Sequence, residues 1–303
     1  MSVAVRGLVA ATATKLFDTH CTQEVMEQTW SPELWSVLVK AELTSEFEVP
    51  ELTEVIRVAA QHAAPIPVGE DTFLARRLCA AAGIPAPPGP LTAAEFVSGR
   101  ADQVPFARFA TGIVACSSAG IALIDPALCQ ITPGANMAGE PRDRVIAPTV
   151  APQGPAPELL QWGALLRSIQ MSGALERVMQ LTVQHASERE QFGRPLRRFQ
   201  AVEHQLATMA GEVAAAAAVS RAAVDDPQTW KIAAAKIRCG KAAGRCADMA
   251  HQIHGAIGFT DEHVLHHFTL RLWSWRDEFG TEEEWTGIVA ENVGPDLWSQ
   301  VTR

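Results

Sequence analysis

The sequence predicts a mainly α protein with a small β-domain: an N-terminal helical domain over residues 1–100, a β-domain over 101–150 and a C-terminal four-helix bundle over 151–303. Three observations predict it. Apolar residues recur at helical intervals through residues 31–81 and again beyond 158. Between 106 and 124 they gather instead into short runs, the pattern of strands. Two proline-rich stretches, 85–90 and 151–157, forbid helix where the period changes.

Each element has its own local reason. Ser31 is a helix N-cap with Pro32 at the first helical position, where the missing N–H costs nothing. Leu34, Leu38 and Ala41, with Trp35 and Val39, continue that helix. Leu52, Val55, Ile56, Ala59 and Ala60 line a second, and Phe73, Leu74, Leu78 and Ala81 a third. Ile113–Cys116 and Ile121–Ile124 flank Ser117-Ser118-Ala119-Gly120, which reads as a hairpin. Beyond the second breaker, three runs follow at helical intervals: Leu159 to Met179, then Val202, Leu206, Met209 and Val213, then Ile232, Ala235 and Ile237. Asp226-Pro227 separates the last two, and such runs pack as an up-and-down bundle.

With 303 residues and 48% hydrophobic content the chain can bury a large core. A net charge of −9 without a Lys/Arg block argues against a nucleic-acid surface. The cysteines at 21, 79, 116, 129, 239 and 246 form no CxxC pair and read as reduced thiols. No run of about 18 apolar residues occurs and the start lacks a basic n-region, so the expectation is a cytoplasmic protein with no membrane contact. His263, His266 and His267 lack a matching carboxylate spacing, so no metal site is expected.

The chemistry-bearing segment is Glu188 to Pro195, with Phe199-Gln200 behind it. Arg189 offers a planar fork for phosphate oxygens, Phe192 an apolar face for a ring and for burial, and Gly193 a turn without a Cβ. The segment resembles the ERxxFG…FQ signature of the acyl-CoA dehydrogenases, which are flavoenzymes. Two further motifs follow at the family's spacings. Lys236, Gly240, Ala243, Ala247 and 252–259 resemble the helix ending in QxxGGxG, with Ala256 in place of the second glycine, and Phe279-Gly280-Thr281-Glu282 stands where the family carries EGTxE. The resemblance covers residue 158 onward. It implies that Arg189, Gln191, Phe192, Gln252, Gly255 and Gly258 bind the ADP half of FAD, and that Gln200 and Thr281 also bind the cofactor. Read without the family, Gly255 and Gly258 are equally a helix C-cap and turn, and His254 stands between a phosphate contact and a helix-end histidine satisfying a carbonyl.

The family's reaction removes the α-proton of an acyl-CoA with a carboxylate while hydride leaves Cβ for the flavin. Its usual base register falls on Phe279 and the minority register on Gly163, and neither can take a proton. Glu278 is the nearest substitute, with a capping or solvated carboxylate as the competing reading; Arg276-Asp277 reads as an intrachain ion pair. The β-domain is short for the family and lacks its threonine-bearing and Trp-Ile-Thr/Ser strands beside the flavin ring. No catalytic residue is therefore expected in this chain. It resembles the small subunit of the α2β2 heterotetrameric acyl-CoA dehydrogenases of actinobacterial steroid degradation, which implies a full-length partner subunit carrying the base and a bulky acyl-CoA substrate. An autonomous homo-oligomer using Glu278 and a catalytically silent scaffold are the alternatives. Residues 213–219 and a tail bearing Trp285, Ile288, Val289 and Trp298 are expected to expose apolar faces to that partner.

Overall fold

The chain divides at Leu166 into two units, Met1–Leu166 and Arg167–Arg303, in a computed structural model that describes residues 3–44, 48–155 and 158–292. In the first unit the leading helices are α1 (Val3–His20), α2 (Gln23–Met26), α3 (Pro32–Lys40) and α4 (Val49–Gln61). The Ser31 hydroxyl accepts from Leu34 N and starts α3, as its position predicts. The predicted apolar face of α4 is the buried one: Leu52, Val55, Ile56, Ala59 and Ala60 all lie inside.

The predicted third helix is two pieces, a π-helical turn Gly69–Ala75 and α5 (Arg76–Ala81). Its reason is Asp71, whose buried carboxylate accepts from Leu91 N (2.8 Å) and Arg76 Nε (2.9 Å). Burial outweighs the arginine and pushes that carboxyl up to about 6. The wide turn carries Asp71 toward the first strand.

Strand structure begins at β1 (Leu91–Glu95), inside the stretch predicted as helical, followed by β2 (Arg100–Pro105), β3 (Gly112–Ser117), β4 (Gly120–Ile124), β5 (Gln130–Thr132) and β6 (Arg142–Ile146). Two three-stranded sheets result, in the orders β1-β3-β4 and β2-β6-β5. The predicted hairpin is β3–β4, with Ser117 opposite Gly120, whereas β1 runs parallel to β3 with Leu91 opposite Gly112. A parallel pair joins distant residues, so local pattern does not reveal it. Phe96, Val104, Ile113 and Val145 form part of the core of this small β region.

Helix α6 (Leu159–Glu188) supplies most of its length to the second unit. There it leads into β7 (Glu190–Gln191) and β8 (Arg194–Pro195), then α7 (Gln200–Asp225), α8 (Thr229–His254), α9 (Leu265–Asp277) and α10 (Glu282–Asn292). The fold is thus mainly helical with a small sheet region between helical N- and C-terminal parts. Helix α8 packs on α7, α9 and α10. Its buried face is made of small residues, among them Ala235, Ala242, Ala243, Ala247 and Ala250, which let neighbouring helices approach closely.

One expectation is corrected here. Trp285 is fully buried, and its Nε1 donates to Phe279 O at 2.9 Å. The indole packs against Gly280 and closes that loop instead of facing outward. Ile288 and Val289 are half-buried, and Trp298 lies outside the described residues. Among the described residues no helix is long and apolar enough to cross a membrane.

Candidate functional site

Helix α6 ends in a two-residue hairpin. Gln191 pairs with Arg194, and the residues between them, Phe192 and Gly193, have φ of +50° and +76°. Positive φ at both central positions is what the tightest right-twisted hairpins require, and Asn-Gly is the usual solution. A phenylalanine held there is strained by about 1–3 kcal/mol. Phe192 is nevertheless 92% exposed, so burial in this chain does not offset the strain, contrary to the expectation that the ring adds to stability. Arg189 is fixed through its backbone, its N–H donating to His185 O and its carbonyl accepting from Leu196 N, both at 2.9 Å. The side chains of Arg189, Gln191 and Gln200 are exposed.

Helix α8 ends at the second motif. Gly255 has φ of +64° and donates its N–H to His251 O, and a Cβ built on it meets nothing within 4 Å. Glycine is needed there for the backbone, and the space above it is open. Gly258 is the reverse: a Cβ would lie 2.9 Å from His254 Cβ and 3.3 Å from His251 Nδ1. His254 stacks on His185 with centroids 4.4 Å apart, which brings the glycine turn to the end of α6 one turn before Arg189. The histidine's Nδ1–H donates to Ala250 O at 2.8 Å, the carbonyl-satisfying role. Burial first, then the neighbouring histidines, push it down to about 4. Gln252 is exposed and its Oε1 accepts from Gln205 Nε2 at 2.6 Å.

Exposed guanidinium, exposed ring and open glycine backbone thus share one end of the second unit. Such a set suits an anionic, ring-bearing ligand: the fork and backbone N–H groups take phosphate oxygens and the phenyl takes an apolar face. On that chemistry the residues fit the ADP half of a flavin nucleotide.

Thr281 belongs elsewhere. Its hydroxyl accepts from Glu284 N (3.3 Å) and donates to Glu284 Oε2 (3.0 Å), while its own N–H donates to the same oxygen (2.7 Å), a reciprocal cap that starts α10. The preceding loop is held by Lys236, whose buried ammonium donates to Arg276 O (2.6 Å) and Gly280 O (2.8 Å). Burial, then Arg167, push that ammonium down to about 8. Lys236 stands 18 residues before His254 on α8 (254 − 236), a rise of about 27 Å.

At the base register the side chains are spent on one another. Glu278 Oε2 accepts from Arg167 Nε at 2.7 Å, with Arg167 0% and Glu278 20% exposed. The Arg167 guanidinium also donates to Gln170 Oε1 and lies 5.4 Å from the Phe279 ring centroid. Protonating Glu278 would break its charge pairing with a buried guanidinium, a poor design for a base.

Residues 156–294 match the model of the acyl-CoA dehydrogenase C-terminal domain. A 120-residue stretch is 38% identical to acyl-CoA dehydrogenase IpdE2 of Mycobacterium tuberculosis, covering 40% of this chain and 38% of that protein. Residues 156–294 form an acyl-CoA dehydrogenase C-terminal domain. The matched stretches span little more than a third of the length of the curated relatives, IpdE2 of Mycolicibacterium smegmatis included. The fold is that of acyl-CoA dehydrogenase structures over nearly the whole chain. A chain of the ChsE4–ChsE5 complex from Mycobacterium tuberculosis superposes with a TM-score of 0.87 at 21% identity, covering 97% of this chain and 98% of that one. A Tcur3481–Tcur3483 steroid ACAD variant gives 0.84 at 19% identity, with 98% of each chain covered.

Within this domain the structure gathers Arg189, Gln191, Phe192, Gln252, Gly255 and Gly258 at one end and sets Thr281 apart. Sequence reasoning missed Arg167 and His185. Arg167 carried a signal, a charge inside Leu165-Leu166-Arg167-Ser168-Ile169, where an inward arginine needs an acid; its partner lies 111 residues on.

Proposed function

We propose that this chain is the base-less subunit of a heteromeric, FAD-dependent acyl-CoA dehydrogenase, lending its ADP-binding end to a full-length partner subunit that carries the catalytic carboxylate. The observation that carries this reading is the contrast between the two motif regions. Arg189, Phe192 and Gly255 are turned outward with open space around them, while Gly163 and Phe279 fill the base registers and Glu278 is tied to Arg167. That ion pair also disfavours an autonomous enzyme using Glu278. One structural relative is a steroid ACAD and both pair two different proteins, which supports a heterotetramer acting on a bulky, steroid-derived acyl-CoA.

Bound FAD supplies the hydride acceptor of an α,β-dehydrogenation. This chain's part is binding. Arg189 and the open backbone at Gly255 would hold pyrophosphate and Phe192 would offer the adenine an apolar face, with Gln191, Gln200 and Gln252 as polar neighbours; Thr281, committed to Glu284, is set apart from them. The α-proton is left to the partner's carboxylate.

Arg189→Ala in the assembled complex tests the assignment. A charge-assisted bond to phosphate is worth about 1.5–3 kcal/mol, so FAD affinity should fall about 10- to 150-fold with the fold intact. Stoichiometric flavin of native affinity would overturn the reading, as would a stable yellow homo-oligomer formed by this chain alone.

A further inference from the structure

The glycine turn that ends α8 rests on imidazoles. His251 stacks on Phe259 of the turn (centroids 4.4 Å apart, 23° between planes) and on Trp273 (5.8 Å, 20°). His254 stacks on His185 (4.4 Å, 22°) and meets His263 edge-on (4.7 Å, 66°). Gly258 sits against both, near His254 Cβ and His251 Nδ1. The two rings are almost wholly enclosed, at 7% and 5% exposure. His251 Nε2 bonds Thr269 Oγ1 at 3.0 Å, and His254 Nδ1 is committed to Ala250 O. Nε2 of His254 is buried and meets no hydrogen-bonding group among the described residues. A neutral ring tolerates that position; a protonated one would bury a cationic N–H without an acceptor.

We propose that His251 and His254 are positioning residues for the turn: their uncharged, stacked rings are the platform on which Gly255–Phe259 is set, and acid that charges them lifts the turn out of its ligand-holding shape.

The charged and titratable neighbours come from each element around the pair. Helix α6 contributes His185, Glu188 and Arg189, α8 contributes Asp248, and His263 and His266 stand before and on α9. Burial opposes protonation of the pair most; Asp248 favours it at His251 and the backbone of Gly258 and Ala250 favours it at His251 and His254, the other histidines oppose it, and Glu188 and Arg189 act with opposite signs on His185. His185, His251, His254 and His263 accordingly all lie below the ordinary imidazole range, His254 at about 4. A base whose folded pKa is depressed stabilises the fold fully above its unfolded pKa of about 6.5. That contribution declines as pH falls toward the folded value and is constant below it. From pH 7 to pH 5 the shift of His254 alone makes opening about 20-fold easier.

The proposal rests on the reading above only for what the turn holds. Its test is hydrogen exchange of residues 255–262 in the full-length chain, corrected for the intrinsic rate, at pH 7 and pH 5. Protection should fall at least about 20-fold in the wild type and about 20-fold less steeply in His254→Asn, which keeps a donor for Ala250 O but cannot be charged there, the remaining fall coming from His251 and its neighbours. Should that variant not fold, an NMR titration of the wild-type imidazoles decides instead, with His254 remaining uncharged below pH 5. Protection independent of pH, or an equal fall in variant and wild type, or a ring of His254 titrating at 6.5, would overturn the proposal. Equilibrium dialysis with ADP separates it from the function. A turn that responds to pH in a chain that binds no ADP at any pH leaves the platform standing and removes its ligand; ADP bound at pH 7 by a turn indifferent to pH does the opposite.

Discussion

The second unit uses one dipeptide twice, in two opposite settings. Phe192-Gly193 and Phe279-Gly280 both have positive φ at each residue, +50° and +76° in the first, +54° and +93° in the second. Around the first pair the space is open: the ring is exposed and a Cβ on Gly193 meets nothing. Around the second it is full. Gly280 is packed on Trp285, whose indole N–H donates to Phe279 O, Lys236 caps the Gly280 carbonyl, and Arg167 stands over the Phe279 ring. Equal strain thus serves two ends. In the sealed loop the surrounding contacts offset it inside the chain, so the loop is finished as folded. In the hairpin little among the described residues does beyond an edge-on contact with Phe199, which suits the proposed role of that surface in holding a ligand.

Removing Glu278 should break the sealed side most. Glu278→Ala removes the carboxylate that pairs with buried Arg167 at 2.7 Å, a loss of about 3–5 kcal/mol that chemical denaturation of the chain would measure. The milder Glu278→Gln separates structure from chemistry. In the assembled enzyme, below its melting point, turnover should stay within about tenfold of wild type, whereas loss of a true general base costs about 10² to 10⁴. A collapse of turnover in a folded, flavin-replete complex would return Glu278 to the active site.

The glycines sharpen the comparison at smaller magnitude. In Gly280→Ala a Cβ would fall 2.6 Å from Trp285 Nε1 at a φ of +93°, so overpacking adds to backbone strain and the cost should reach about 2–4 kcal/mol. Gly193→Ala meets only its φ of +76° and should cost about 1 kcal/mol. Equal losses in two denaturation curves would mean that the hairpin is as enclosed as the loop.

How much of this was legible depended on whether the determinant was local. The Ser31 cap, the β3–β4 hairpin and the apolar face of α4 follow from residues within a few positions of each other, and the structure has all three. The π-turn at Gly69–Ala75 and the strand at Leu91 depend on Asp71 meeting Leu91 across 20 residues, and neither shows in a periodicity. The two ends of the site divide in the same way. The outward groups, Arg189 and Gly255 among them, are readable as motif letters because little else in the chain constrains them. The sequence alone does not decide between base and structural carboxylate for Glu278 because its ion-pair partner, Arg167, stands on a helix 111 residues earlier. Trp285 was misread for the same reason, since its burial depends on a loop glycine and a carbonyl rather than on its own helix face.

The smallest effect asks whether the exposed pair is really held for something outside the chain. Replacing Phe192 by asparagine puts a residue suited to positive φ at the first central position of the hairpin. The lost edge-on contact with Phe199, at 6.3 Å, is minor for a ring that is 92% exposed. Relief of backbone strain should therefore equal or exceed it, and Phe192→Asn should leave the isolated chain as stable as wild type or more so by about 0.5–1 kcal/mol. In the assembled complex the same change should loosen FAD, because the face offered to the adenine is gone. Opposite signs in the two measurements would mark Phe192 as a residue kept for a ligand against the interest of the fold. A loss of stability above 1 kcal/mol with flavin affinity unchanged would place the ring among the chain's own packing and remove the contrast between the two loops.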